Sequence, residues 1–190
     1  HTRTGEFAGR PLNQLLGLQW RTDDIDEVAL YHTRDRQRLG TVRNDAVTET
    51  SIGFYWQGGT QWNQKLRTNL GLRYDFFDFD VDSDLSANSG SDSDGIASAK
   101  FNVAYTLSDA WELYSGLGQG FHSNDARGVT ITVDPVSGDA VDNVDPLVRS
   151  TGAEIGLRFY PSDRFNASLA LWGLELDSEL LFVGDAGNTE

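Results

Sequence analysis

From Leu66 to Phe76 the chain alternates between two kinds of side chain for eleven positions without a break. Leu66, Thr68, Leu70, Leu72, Tyr74 and Phe76 fall on one side, and Arg67, Asn69, Gly71, Arg73 and Asp75 on the other. Successive side chains of a strand point to opposite faces, so this period of two dictates a strand with one apolar and one polar face. Strands of a soluble sandwich average about six residues, and this one is longer. The same split recurs. Phe101, Val103, Tyr105 and Leu107 oppose Lys100, Asn102, Ala104 and Thr106. Trp111, Leu113, Leu117 and Phe121 oppose Glu112, Tyr114, Gly116, Gly118, Gly120 and His122. Ala153, Ile155, Leu157 and Phe159 oppose Gly152, Glu154, Gly156 and Arg158, and weaker versions cover Leu12–Arg21, Ala46–Gln57 and Phe165–Leu176. The reading is seven strands.

The connections alternate in length. Short links fall at Gly58–Gln64, Leu107–Ala110 and Tyr160–Arg164; long polar links fall at Asp23–Asp45, Asp78–Ser98 and His122–Ser150, and another begins near Asp177. In an up-and-down antiparallel meander every second connection lies at the same end, so long loops gather at one end and short turns at the other. Transmembrane barrels have this asymmetry, with short periplasmic turns and longer outer loops. Trp62, Tyr105, Trp111, Phe159, Tyr160 and Phe165 cluster at the short-turn end, where a membrane interface favours rings that are part wet and part apolar. The fold expected is all-β: an antiparallel up-and-down transmembrane β-barrel, present as an incomplete fragment of about seven strands within a single barrel domain spanning 1–190.

Composition narrows the function classes. Among 190 residues there is no cysteine, which excludes disulfides and thiolate metal sites. A formal net charge of −14 argues against nucleic acid as a partner, because phosphate binding needs a basic face. It suits divalent cations, with plain solvation as the default. Twenty glycines against four prolines fit long strands, and no apolar run is long enough for a membrane-spanning helix.

Two groups of residues invite chemistry. Asp78, Asp80, Asp82 and Asp84 share one parity, so their carboxylates line one face and are candidate Ca²⁺ ligands in the outer loops; no other cofactor is expected. A solvated strand extension beyond the bilayer is the default explanation for them. Phe121, His122, Asp125 and Arg127, with Arg149 at the far end of the same link, would meet an anionic or aromatic ligand at a barrel mouth. Against that stands pairing of Asp125 with Arg127, and of Arg149 with a neighbouring carboxylate, simply to brace the loop. A His–Asp–Ser hydrolase reading lacks a strand-turn-helix nucleophile elbow, and Gly116-x-Gly118-x-Gly120 lacks the following helix of a dinucleotide site. No enzyme is expected. The loop 134–146 reads as tight turns at Asp134-Pro135 and Ser137-Gly138, with a small hairpin.

Several segments resemble the barrels of TonB-dependent outer-membrane receptors. Leu70-Gly71-Leu72-Arg73-Tyr74-Asp75 is similar to a recurrent strand of that family. So are Trp111-Glu112-Leu113-Tyr114 leading into Gly118–Gly128, Ser150–Arg158, and Leu171–Glu179. The resemblance covers most of 46–190. It implies a large barrel filled by an N-terminal plug, ligand entry from the outer loops and energy from a periplasmic coupling protein. Neither a plug domain nor a coupling box is visible here, so coupling would run through regions not in this chain. The implied role is a portion of wall and outer loops in the bacterial outer membrane, among lipid, taking up a scarce small molecule or metal chelate such as a siderophore. Two alternatives remain: a smaller porin or adhesin barrel, and a soluble carbohydrate-binding sandwich.

Overall fold

The computed structural model describes residues 1–178 and, beyond them, the backbone of two short paired strands, Phe182–Val183 and Asn188–Thr189. Eight strands form one sheet in sequence order: β1 Thr2–Phe7, β2 Arg10–Arg34, β3 Gln37–Gln61, β4 Leu66–Ser83, β5 Gly90–Ser108, β6 Trp111–Ser123, β7 Leu147–Ser162 and β8 Phe165–Leu176. Each pairs antiparallel with the next, and among the described residues β1 and β8 do not pair with each other, so the sheet is open. The seven expected strands are all present. The eighth, β1, escaped the reading because its residues, Thr-Arg-Thr-Gly-Glu-Phe, carry no apolar alternation. The connection expected near Asp177 lies outside the described residues apart from its first two positions.

Two of the three long polar links are corrected. Asp23–Asp45 is the top of a tall hairpin, β2 and β3 running 25 residues each. Its tip is Asp35-Arg36, both with positive φ, as a two-residue hairpin turn of the primed type requires. Asp78–Ser98 is likewise mostly strand, closed by a 3₁₀ turn at Ser86–Asn88. Only 124–146 leaves the sheet, and it contains a short helix, α1 (Ala126–Val129). Polarity misled here because leaving the bilayer changes which side chains suit each face without stopping the hydrogen-bonded ladder.

β4 shows the change. Leu70, Leu72, Tyr74 and Phe76 lie exposed on one face while Asp75, on the other, is 2% exposed. This inverts a soluble sheet and suits hydrocarbon on the apolar face. From Phe77 upward the faces exchange character: Phe77, Phe79 and Val81 continue the polar face inward, and Asp78, Asp80 and Asp82 continue the apolar face outward. By register the boundary crosses the sheet as the row Trp20–Ile52–Phe76, with Thr22–Thr50–Asp78 immediately above. Ten residue steps from Leu66 to Phe76 are about 33 Å of strand; tilted by about 40°, they span about 25 Å, the height of the apolar band of an outer-membrane barrel. At the short-turn end Trp111 stacks on Phe159 (4.2 Å between centroids), which meets Phe165 edge-on, and Phe7 meets Trp62 edge-on.

Above the boundary the inward face has its own small core. Val47, Phe79, Val81, Ile96, Ala126 and Leu147 are buried together, with Val28, Phe77 and Phe121 packed against them. Phe79 has no exposed surface.

Candidate functional site

The excursion 124–146 is a folded roof over this upper wall. α1 begins where Asp125 caps it, accepting the Arg127 N–H at 2.9 Å, the arrangement favoured for the otherwise unpaired first turn of a helix. Ala126 and Val129 on the helix are buried. The roof is then clasped from below by Asn88, wholly buried in the β4–β5 turn. Its Nδ2 donates to Val133 O (2.9 Å), and its Oδ1 accepts from the N–H groups of Thr132 and Val133 (3.0 Å each). Thr130 Oγ1 donates to Asn88 O and Thr132 Oγ1 to Ala87 O. At its two ends Asn124 Nδ2 donates to Asp145 O, and Val144 N–H to Gly128 O. The small hairpin expected here exists: Val133 bridges Ala140, Asp134 Oδ1 accepts from Val136 and Ser137 N–H, and Gly138 takes a positive φ.

The sequence candidates are distributed through this roof and its supports. Asp125 and Arg127 hold each other: Arg127 Nε and Nη2 both reach the carboxylate, at 2.9 and 2.5 Å. Burial opposes ionisation of Asp125, but the Arg127 hydrogen bonds and charge outweigh it and keep the carboxyl below the ordinary aspartate range. The same hydrogen bond raises the Arg127 guanidinium. Phe121, although it shares the parity of Leu113 and Leu117, packs edge-on against Phe77 (5.8 Å) in the upper core. His122 lies in the ladder opposite Val148. Among the described residues Arg149 meets no carboxylate of the kind expected to brace it; its Nη1 donates to Ala97 O at 2.7 Å.

That last bond has a cause in the sheet. β5 and β6 pair only as far as Lys100 and Gly118, so above this point no strand among the described residues pairs with β5 on its β6 side. Unpaired strand edges are usually blunted. Here Asp92 and Asp94 accept from the N–H groups of Ser93 and Gly95 (2.7 Å each), and Arg149 reaches across from β7 to Ala97. Asp92 and Asp94 are thus edge caps.

Asp78, Asp80 and Asp82 stand outward on alternate positions, about 7 Å apart along the strand, and Asp84 Oδ1 accepts from Asn44 N–H. Among the described residues no group of three or more His, Asp or Glu side chains is gathered closely enough to hold a metal.

Reasoning from sequence missed the support beneath the roof. Arg43 and Asp45 form an ion pair with side chains 8% and 0% exposed; Arg43 Nη2 also donates to Arg127 O (3.3 Å), and Asp45 Oδ1 is buried without a hydrogen-bond partner. Nearby, burial and the charges of Asp23 and Asp125 push the Glu49 carboxyl upward, against Arg21. The signal available was the parity of Arg43, Asp45 and Val47, which places them on the face of Phe79.

Below the boundary the inward face is polar. A cavity of about 480 Å³ is lined by Asn13, Arg67, Asn69, Asn102, Glu154 and Arg158 among others, with Arg67 and Arg158 both on Glu112 at 2.6 and 2.7 Å. Such a wall offers hydrogen bonds and fixed charges along a path, which is chemistry for binding. The family model described as TonB dependent receptor-like, beta-barrel matches residues 1–190, in agreement with the open meander, the apolar band and the polar inner wall. The chain belongs to the TonB-dependent receptor β-barrel family, whose place is the bacterial outer membrane.

Proposed function

We propose that this chain supplies part of the wall and outer loops through which its receptor takes up a scarce ligand such as a metal chelate or siderophore. Membership makes it the barrel of an outer-membrane receptor and transporter; the ligand class is our reading. The observation that carries it is the roof: 124–146 is a built structure, held by Asn88 and the upper core over a polar inner wall. A general diffusion pore has no need of a folded cover. In this reading Phe121, His122, Asp125, Arg127 and Arg149 stand at the barrel mouth for ligand capture, with Asp125 and Arg127 also fixing the roof's position; lipid surrounds the apolar band, and a periplasmic coupling protein acts through regions outside this chain.

The test is uptake by metal-starved cells offered a panel of radiolabelled ferric and other metal chelates. Val144 N–H reaches Gly128 O, so the two ends of the roof segment already meet and Thr130–Val144 can be removed with a short closure. Accumulation of one chelate that disappears with this deletion, at normal surface abundance, supports the proposal. No chelate-dependent accumulation in the native strain, or uptake that survives the deletion, overturns it.

A further inference from the structure

The row at which β5 and β6 part holds a lone cation. On the inward face it reads Gln57, Gly71, Lys100, Gly118, Gly152 across β3 to β7. A Cβ on Gly71 would come within 2.5 Å of Lys100 Cε, so the lysine stem lies flat across that glycine. On its other side Gly118 is bare: a Cβ there would meet only Lys100 Cβ and backbone, none nearer than 3.5 Å. Lys100 lines a recess of about 300 Å³ together with Tyr55, Gln57, Arg73, Ser98 and Gln119.

Charge balance singles out Lys100. Of the other inward cations on this wall, Arg67 and Arg158 share Glu112, Arg73 holds Asp75 and Arg21 holds Asp23. Lys100 has no carboxylate partner among the described residues. Glu154, opposite Gly116, stands two strands away and one row lower, about 12 Å by strand spacing and rise. Ser98, one row above on the same face, has a buried hydroxyl with no hydrogen-bond partner. An uncompensated ammonium, an unused hydroxyl and the N–H groups of glutamine amides around one recess supply donors with no anionic acceptor among them.

From this we infer that Lys100 and Ser98 form a binding position for an oxyanion, a carboxylate or phosphate carried by a small ligand, on the inner wall about midway through the bilayer. The inference rests on the uptake reading for its ligand, but the site can be tested without it. The chain holds two lysines, Lys65 and Lys100, and Lys65 lies in the short β3–β4 connection. The intact protein in detergent is treated with pyridoxal phosphate, an anionic aldehyde, then borohydride, and separately with a neutral acetylating reagent; labelling is read by peptide mass spectrometry. The ratio of anionic to neutral labelling at Lys100 should exceed that at Lys65 about tenfold, the scale of one charge-assisted hydrogen bond. Inorganic phosphate and succinate should each protect Lys100, phosphate alone marking a phosphate site and succinate alone a carboxylate site, while glucose protects neither lysine. Ser98→Ala should weaken that protection.

Equal ratios at the two lysines, or protection by neither anion, overturns the inference, including the case in which another carboxylate of the protein already occupies the ammonium. In cells, Lys100→Gln should lower chelate uptake about tenfold and Lys100→Arg should largely restore it. Protection of Lys100 in a protein that accumulates no chelate would remove the uptake reading alone; uptake without protection would remove this site alone.

Discussion

The side-chain amide of Asn88 is bonded to the backbone of Val133 in both directions, Nδ2 to O at 2.9 Å and N–H to Oδ1 at 3.0 Å. A single buried residue thereby imitates a strand neighbour and joins the β4–β5 turn to the roof. Asn88→Ala leaves the carbonyl of Val133 and the N–H groups of Thr132 and Val133 without these partners. Each such loss costs about 1–3 kcal/mol where water cannot enter, so opening of the roof should become easier by about 2–4 kcal/mol. Hydrogen exchange at Thr132 and Val133 should accelerate by about thirtyfold to a thousandfold, while β4 below Phe76 keeps its protection. Unchanged exchange at those two amides would show that the clasp is dispensable.

The strand pattern was legible in the sequence because the bilayer imposes it: residues 66–76 satisfy lipid on one face and water on the other, a demand that period two expresses directly. The upper half was harder to read. There the same period of two persists with its polarity exchanged, so the acidic run 78–84 read as a solvated strand extension opening a long polar link, while Phe77, Phe79 and Val81 between the aspartates were building a core. Asn88 left no signal at all, since Ser86-Ala87-Asn88-Ser89-Gly90 has the composition of any turn. Asp125 and Arg127 were visible as a pair; that Arg149 would seek the Ala97 carbonyl was not, because that bond follows from the parting of β5 and β6, a tertiary event.

Exchange of polarity along one face makes a sharp comparison between two positions of β4. Leu70 lies near the middle of the apolar band, and Leu70→Arg should cost about 2–4 kcal/mol in a bilayer-folding assay. Asp80, ten residues along the same strand and on the same face, lies above the band; Asp80→Arg should change stability by no more than about 0.5 kcal/mol. Asn69→Leu, on the inward face, should likewise be mild. A large penalty at Asn69 with none at Leu70 would reverse the assignment of the two faces.

The buried pair beneath the roof should respond asymmetrically to single and double substitution. Arg43→Leu strands the Asp45 carboxylate in an apolar surround, where a lone buried charge costs about 3–5 kcal/mol. Arg43→Leu combined with Asp45→Val removes both charges beside Val47 and Phe79, and should return to within about 1 kcal/mol of the native protein. Denaturant titration of the refolded intact protein measures both. Additive losses in the double variant would mean that Asp45 has a further partner.

Opposed carboxyl shifts give the roof a pH profile of its own. Asp125 titrates below its ordinary range in the folded protein, because the Arg127 hydrogen bonds and charge outweigh burial. Its contribution is therefore present above the unfolded aspartate value, about 3.9, and is lost as pH falls through the lower folded value. Glu49 is shifted upward, by burial and then by Asp23 and Asp125. For that group the folded state favours the proton, so its contribution is present below the unfolded glutamate value, about 4.3, and is lost as pH rises through the folded value. Both contributions overlap just above pH 4, where Asp125 is ionised and Glu49 is not, and this element of the protein should hold its roof most firmly there. Glu49→Gln should raise roof stability at pH 7 and leave it unchanged at pH 4; Asp125→Asn should lower it at pH 7, by an amount that shrinks as pH falls below the unfolded aspartate value. Because both groups are partly exposed, each effect should stay below about 1 kcal/mol. Limited proteolysis within 130–144 across pH 3–8 reads the profile, and identical profiles for the native protein and Glu49→Gln would show that Glu49 carries no charge penalty in the folded state.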